Sequence, residues 1–190
     1  MVVVFLPFFL LVSAFGYVAA DGVCDAVLDA GSSPCSKKAS VKFHLDPVTR
    51  RCLAFKYTGC GGNANNFDSI SQCRQRCIPM DRLKCPANTS PLKNDKGTTN
   101  CGREAMEPKC ADQGAYCQMG AHGDGLCCSQ AAKDKTHEDH KKQCANGSEK
   151  YRMESGGHQH VLLGKDCSTD FCPSGYQCQK GNFYAFCCKK

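Results

Sequence analysis

Eighteen cysteines lie in this chain, all beyond residue 20, and they fall into three runs of six. The first run is Cys24, Cys35, Cys52, Cys60, Cys73 and Cys77. The second is Cys85, Cys101, Cys110, Cys117, Cys127 and Cys128, and the third is Cys144, Cys167, Cys172, Cys178, Cys187 and Cys188. An even, dense set of cysteines in an exported chain means disulfides, because an oxidising compartment lets them persist. Modules of this size bury little apolar surface, and the chain has no Trp. Cross-links must then supply much of the constraint. The expected fold class is small and disulfide-rich.

Export is read from the first twenty residues. Met1–Ala20 carries no charged side chain, and the apolar run Val2–Val12 gives way to small residues ending in Val18-Ala19-Ala20. This pattern reads as a secretory signal peptide, 1–20, cleaved after Ala20. The apolar part is short for a bilayer span, and no second apolar stretch follows. A secreted, extracellular protein with no membrane partner is expected. The net charge of +6 is too dispersed to argue for nucleic acid. Lys37, Lys38 and Lys42 cluster locally, as do Arg50 and Arg51, and such patches are usually solvated surface. No nucleophile–base motif appears, so an enzyme is not expected, and neither is a cofactor. His137 with His140, and His158 with His160, have ligand-like spacing. Both pairs lie in polar segments without an evident scaffold, and no metal is expected there.

The first run of cysteines sits in a readable pattern. Val41–Leu45 alternates apolar and polar residues, the period of a half-buried strand, with His44 on its polar face. Asp46-Pro47-Val48-Thr49 supplies turn chemistry. Cys52–Tyr57 returns as a second strand with Leu53, Phe55 and Tyr57 on one face, completing a hairpin. Ser69 and Gln72 are spaced as a capping box that opens a short helix. Cys73 and Cys77, four apart, share that helix's inner face.

Phe55, Gly59-Cys60, Phe67, Cys73 and Cys77 stand at distinctive spacings. Together they resemble the second half of a Kunitz protease-inhibitor domain, the pancreatic trypsin inhibitor type. The resemblance implies a twisted hairpin followed by a short C-terminal helix over 22–77. It also implies the pairing Cys24–Cys77, Cys35–Cys60 and Cys52–Cys73, one of fifteen that six cysteines allow. The implied function is serine-protease inhibition by a rigid convex loop, Pro34-Cys35-Ser36-Lys37-Lys38-Ala39. Ser36 falls at the position that fills the protease's primary pocket. Gly61 and Gly62 fall on a secondary loop, with Tyr57 and Gly59 supporting it. A small uncharged residue suits an elastase-like pocket better than a trypsin-like one.

This chain departs from the family pattern around that loop. The Cys24–Cys35 segment is two residues longer than usual, and Cys35–Cys52 is one longer, the extra residue lying before Phe43. Lys37 stands where the family has a small residue. If the loop bulges, Lys37 takes the pocket position instead of Ser36. The alternative function is a non-inhibitory extracellular interaction or matrix module, or a channel-directed protein, that keeps the fold and not the inhibitory loop.

The second and third runs each open with a long gap and end in Cys-Cys, a weak internal repeat. They are similar to lustrin-type cysteine-rich repeats, which accompany Kunitz domains in secreted invertebrate proteins, notably of nematodes. That resemblance implies extracellular modules with a matrix association. The expected boundaries are a linker at 78–84, repeat 1 at 85–128, a polar linker at 129–143 and repeat 2 at 144–188. The 129–143 segment reads as a short exposed helix or a solvated linker, and the linker is favoured because the run Lys133–Lys142 lacks apolar residues to bury. Adjacent cysteines suit each other's bridge geometry poorly, so each Cys-Cys should reach two separate partners. Asn88 and Asn146 open N-glycosylation sequons.

Overall fold

The structure, a computed structural model, describes residues 21–78, 83–102 and 108–190. The expected signal peptide at 1–20 lies outside the described residues, as do residues 79–82 of the expected linker. Among the described residues no helix is long and apolar enough to cross a membrane.

A short helix α1 (Asp21–Asp25) precedes the long loop that leads into strand β1 (Ser40–Asp46). Strand β1 pairs antiparallel with β2 (Arg51–Tyr57), with Leu45 opposite Cys52 and Lys42 opposite Phe55. The turn between them is closed by Asp46, whose Oδ2 accepts from the Thr49 amide at 2.8 Å and from its hydroxyl at 2.5 Å. Burial alone would raise the Asp46 pKa. The Thr49 bonds and Lys165 Nζ, 3.0 Å away, outweigh that and hold it below the ordinary value.

Helix α2 (Ile70–Cys77) starts where the capping residues predict: Ser69 Oγ accepts from the Gln72 amide at 3.1 Å. Gln72 returns the bond to the Asp68 amide, also at 3.1 Å. Cys73 and Cys77 are buried on its inner face. They bond Cys52 and Cys24, and Cys35 bonds Cys60.

The rest of the chain holds two copies of one unit. In the first, β3 (Asn100–Cys101), β4 (Ala115–Met119) and β5 (Gly125–Ser129) form a sheet in the order β3-β5-β4. In the second, β8 (Leu163–Gly164), β9 (Tyr176–Lys180) and β10 (Ala185–Lys189) stand in the matching order β8-β10-β9. Cys117 faces Cys127 across one hairpin, and Cys178 faces Cys187 across the other. The bridges match too: Cys85–Cys128, Cys101–Cys117 and Cys110–Cys127, then Cys144–Cys188, Cys167–Cys178 and Cys172–Cys187. Each Cys-Cys thus ties its strand to two earlier segments. The second copy carries an added hairpin, β6 (Arg152–Ser155) with β7 (His158–Val161).

The third block is joined to the first. Strand β8 pairs parallel with β2 at Ala54 and Gly164, giving a five-stranded sheet β1-β2-β8-β10-β9. Gly164 permits this approach, because a Cβ there would run into the Phe171 ring. Phe43, Leu45 and Ala54 share a core with Leu162, Phe171 and Ala185. Leu53 is buried with Leu163, Tyr184 and Phe186. Burial of this apolar surface is worth about 25 cal/mol for each Å² removed from water. It is the main force holding the two blocks together.

Two expectations are corrected here. The 129–143 segment is not a solvated linker: Gln130–His140 is helix α3, with Ser129 Oγ accepting from the Ala132 amide at 3.3 Å. Ala132 is buried, and polar contacts supply the rest of the helix's anchorage. The Asp139 side chain, 1% exposed, accepts from the amides of Asn182, Phe183 and Tyr184 at 2.8, 2.7 and 3.1 Å. Lys150 Nζ donates to the Glu138 and Asp139 carbonyls, both at 3.1 Å, at the helix C-terminus, where a cation is favoured. The same ammonium stands 3.5 Å over the Phe186 ring. His44, expected on a polar face, is 2% exposed, because both faces of the hairpin are covered. It stands edge-on to Phe55 at 5.5 Å, and among the described residues neither ring nitrogen has a hydrogen-bond partner. Burial pushes its pKa down, a shift only partly offset by the Asp46 charge.

Candidate functional site

Two loops meet at the end of the β1–β2 hairpin away from the turn. The longer runs from residue 26 to residue 39, and the shorter follows β2 through Thr58–Asn65. The Cys35–Cys60 bridge joins them, with Cα atoms 5.7 Å apart. Backbone bonds flank the bridge: the Ser32 amide donates to the Cys60 carbonyl, and the Thr58 amide to the Ala30 carbonyl, both at 2.9 Å. The Thr58 hydroxyl donates to the Cys60 carbonyl at 3.2 Å. Each bond removes a way for the loops to separate.

Glycine is required at two points of this junction. Gly31 has φ +87°, and a side chain there would collide with the Cys60 carbonyl. Its amide donates to Asp29 Oδ1 at 2.9 Å, so the lengthened Cys24–Cys35 segment takes up its length in a tight turn. Gly59 has φ +103°, and a Cβ there would lie 2.8 Å from Lys37 Cβ and 3.3 Å from Cys35 Sγ. The missing side chain at Gly59 is what makes room for Lys37 beside the bridge. The secondary loop is held from β2, where the Tyr57 hydroxyl donates to the Gly61 carbonyl at 2.7 Å.

Pro34, Ser36, Lys37, Lys38 and Ala39 are exposed, as are Gly61 and Gly62, while Cys35 is half-buried. The expected loop residues and the two glycines thus flank one bridge. The backbone bends at Ser36 and Lys37, within the stretch that carries the extra residue. The Lys37 amide donates to Cys35 Sγ at 3.3 Å. The arrangement is a braced convex surface, neutral at Ser36 and cationic at Lys37 and Lys38. It can fill a complementary cleft with little further ordering.

Asn65, not singled out from the sequence, organises the base of both loops. It is 1% exposed. Its Oδ1 accepts from the Leu45 amide at 2.8 Å, and its Nδ2 donates to the Leu45 and Ala26 carbonyls at 2.9 and 2.8 Å. Asn63 adds a bond to the Val27 carbonyl at 2.8 Å. The run Gly-Gly-Asn-Ala-Asn-Asn, 61–66, reads as loop, and nothing in it says which asparagine turns inward.

The histidine pairs do not form a ligand set. His137 is exposed, while His140 is half-buried and bonded to Arg51. His158 and His160 lie on β7 with ring centroids 6.4 Å apart. Among the described residues, Cys101, Cys110 and Cys127 place their sulfurs within reach of one point. All three are in disulfides, so no thiolate is offered to an ion.

Comparison with known proteins matches residues 23–78 to the Kunitz/bovine pancreatic trypsin inhibitor domain. The chain is 35% identical to the major allergen Ani s 1 of Anisakis simplex, over 87% of this chain and 86% of that protein. It is 29% identical to the BPTI/Kunitz inhibitor domain-containing protein C02F12.5 of Caenorhabditis elegans, over 87% of this chain and 89% of that one. Kunitz-type serine protease inhibitor bitisilin-1 of Bitis gabonica is 43% identical over 27% of this chain and 56% of its own length. Similarity to the two nematode proteins therefore extends through all three cysteine blocks.

Proposed function

We propose, since this chain belongs to the Kunitz/bovine pancreatic trypsin inhibitor family, that it is a secreted serine-protease inhibitor acting through the loop at Ser36. Domains of this family bind serine proteases and are inhibitors, not enzymes. The observation that carries the reading is the braced loop junction. The Cys35–Cys60 bridge and the Ser32, Thr58 and Tyr57 bonds hold Pro34–Ala39 out in solvent. A loop already ordered loses little entropy on docking, and that is the source of tight inhibition.

Ser36 is the residue proposed for the primary pocket, and the target is an elastase-like protease. Ser36 brings no charge to the buried carboxylate of a trypsin-like pocket, which is left unpaired at considerable cost. The domain division 22–77, 85–128 and 144–188 is retained as the organisation of the secreted chain. The two tail units are proposed as lustrin-type repeats suited to an extracellular matrix, with glycans at Asn88 and Asn146.

One observation favours a second reading. The bend at Ser36 and Lys37 departs from the extended strand that a protease cleft takes from a substrate. A non-inhibitory interaction module, in a matrix or directed at a channel, would keep the fold and tolerate that bend. Inhibition constants of the whole protein against one elastase-like and one trypsin-like protease separate the two readings. Tighter inhibition of the elastase-like enzyme supports the proposal. Inhibition of neither supports the interaction module.

A further inference from the structure

The seam between the first and third blocks reaches the inhibitory loop through one ion pair. Lys56, the penultimate residue of β2, holds Asp170 with 2.5 Å between Nζ and Oδ2, across 114 positions of the chain. Lys56 stands opposite Val41, two residues after the loop residue Ala39. It also lies three residues before Gly59, against which Lys37 Cβ packs. Three residues span at most ~11 Å. A standard interface covers about 800 Å² of each partner, a circle of roughly 16 Å radius. A protease seated over Pro34–Ala39 therefore extends to Lys56 and the carboxylate beside it.

Chain direction says which side of the protease is met. With Ser36 in the primary pocket, the residues after it run along the side of the cleft that takes the leaving portion of a substrate. That run leads into β1, and Lys56 faces it at Val41. Asp170 borders the same rim, and its backbone is held in place. It follows the turn Cys167–Thr169, which Asp166 caps by accepting from the Ser168 amide at 2.8 Å. The Cys167–Cys178 bridge ties this turn to β9, and the wholly buried Phe171 packs on Gly164. Asp170 takes φ +44°, a left-handed conformation that Asp and Asn tolerate better than most residues. A segment fixed in this way meets a partner at little ordering cost. The pair also turns its acidic end outward: the Asp170 side chain is 77% exposed and that of Lys56 47%. An approaching surface meets the carboxylate first, and the charge that complements it is positive.

We propose that Asp170, carried by the third block, belongs to the protease-binding surface and selects a protease with a basic residue on that rim of its cleft. The inference rests on the reading of the Ser36 loop, and adds to it the partner's charge and a part for the third block in inhibition.

The test is the association rate of the whole oxidised protein with a basic elastase-like protease. It is measured between about 0.1 M and about 1 M salt, where the screening length falls from about 10 Å to about 3 Å. Asp170→Asn removes the charge and keeps a residue that accepts the left-handed backbone. An exposed ion pair contributes little to stability, so this variant should fold as wild type does. It should associate roughly two- to threefold more slowly at the lower salt, the effect of one unit charge ~6 Å from its partner in water. The difference should vanish at the higher salt. Lys56→Gln, which leaves the carboxylate uncompensated, should speed association. Asp112→Asn makes the same charge change at an exposed position in the second block and should leave the rate unchanged. Equal rates for Asp170→Asn and Asp112→Asn, with wild type inhibiting, would overturn this inference alone. So would a slowing that persists at high salt, which marks a disturbed loop. Failure of wild type to inhibit would overturn the Ser36 reading and this inference with it.

Discussion

Replacing Asp139 with Ala should release helix α3 from the third block. The carboxylate lies in a turn of the chain at residues 181–184 and accepts from three consecutive backbone amides, those of Asn182, Phe183 and Tyr184. It takes a fourth bond from Asn182 Nδ2 at 3.2 Å. Alanine leaves three N–H groups without this partner, that of Tyr184 at a buried position and the other two partly buried. An unsatisfied buried donor costs about 1–3 kcal/mol. At the low end of that range, since Asn182 and Phe183 are partly reached by water, the three together cost about 3 kcal/mol. Hydrogen exchange with all bridges intact reads this as local opening. Amides of 130–140 should exchange roughly a hundredfold faster in the variant, at 1.4 kcal/mol per factor of ten. Exchange within a factor of about three of wild type, a difference under ~0.7 kcal/mol, would refute the claim that this carboxylate anchors the helix.

Acid should weaken the seam through its histidines. Burial lowers the pKa of both His44 and His140, so between the folded and unfolded values the unfolded chain binds more protons. Stability is then full above about pH 6.5 and falls as the pH drops below it, until the folded-state values are reached. His44→Phe should reduce the pH slope of the urea midpoint from about two protons to about one, and an unchanged slope would exclude His44 as a contributor. Lys37→Ala should tighten inhibition of an elastase-like protease by about 0.5–1.5 kcal/mol, the ordering cost of a long side chain at an interface. Inhibition lost in Lys37→Ala would mean that Lys37 itself fills the pocket.

The hairpin and helix of the first block were legible because local signals agree there. Alternation at Val41–Leu45, the turn residues after Asp46 and the Ser69–Gln72 cap all describe contacts between near neighbours. Cys73 and Cys77, one helical turn apart, put two bridges on one face. The repeat of the second and third blocks was legible from the Cys-Cys ends, although its strands were not. What escaped reading depends on residues distant in the chain. Ala54 and Gly164 pair across 110 positions, and nothing in either segment names the other. The third block joined by that pairing packs Leu163, Tyr184 and Phe186 on Leu53, which stands opposite His44, so the second face of the hairpin is covered and a strict alternation rule misplaced His44. Helix α3 looked like a linker because burial was sought in apolar residues, whereas it buries only Ala132 and Asp139, and its polar hold on the fold comes from that aspartate and the Lys150 cap. Asn65 was hidden for a related reason: a loop asparagine becomes structural only when two strangers in sequence, Ala26 and Leu45, present their backbones to it.

The central claim is that Ser36 enters the protease's primary pocket, and exchanging that one residue tests it most directly. Ser36→Arg offers a guanidinium to the carboxylate of a trypsin-like pocket without altering the Cys35–Cys60 bridge. A buried charge pair of this kind is worth at least about 2 kcal/mol, roughly thirtyfold in the inhibition constant. Trypsin should therefore be inhibited at least about thirtyfold more tightly by Ser36→Arg than by wild type, while inhibition of an elastase-like protease weakens. Inhibition constants for trypsin and the elastase-like enzyme that do not change on substitution would contradict the account and leave Ser36 outside the pocket.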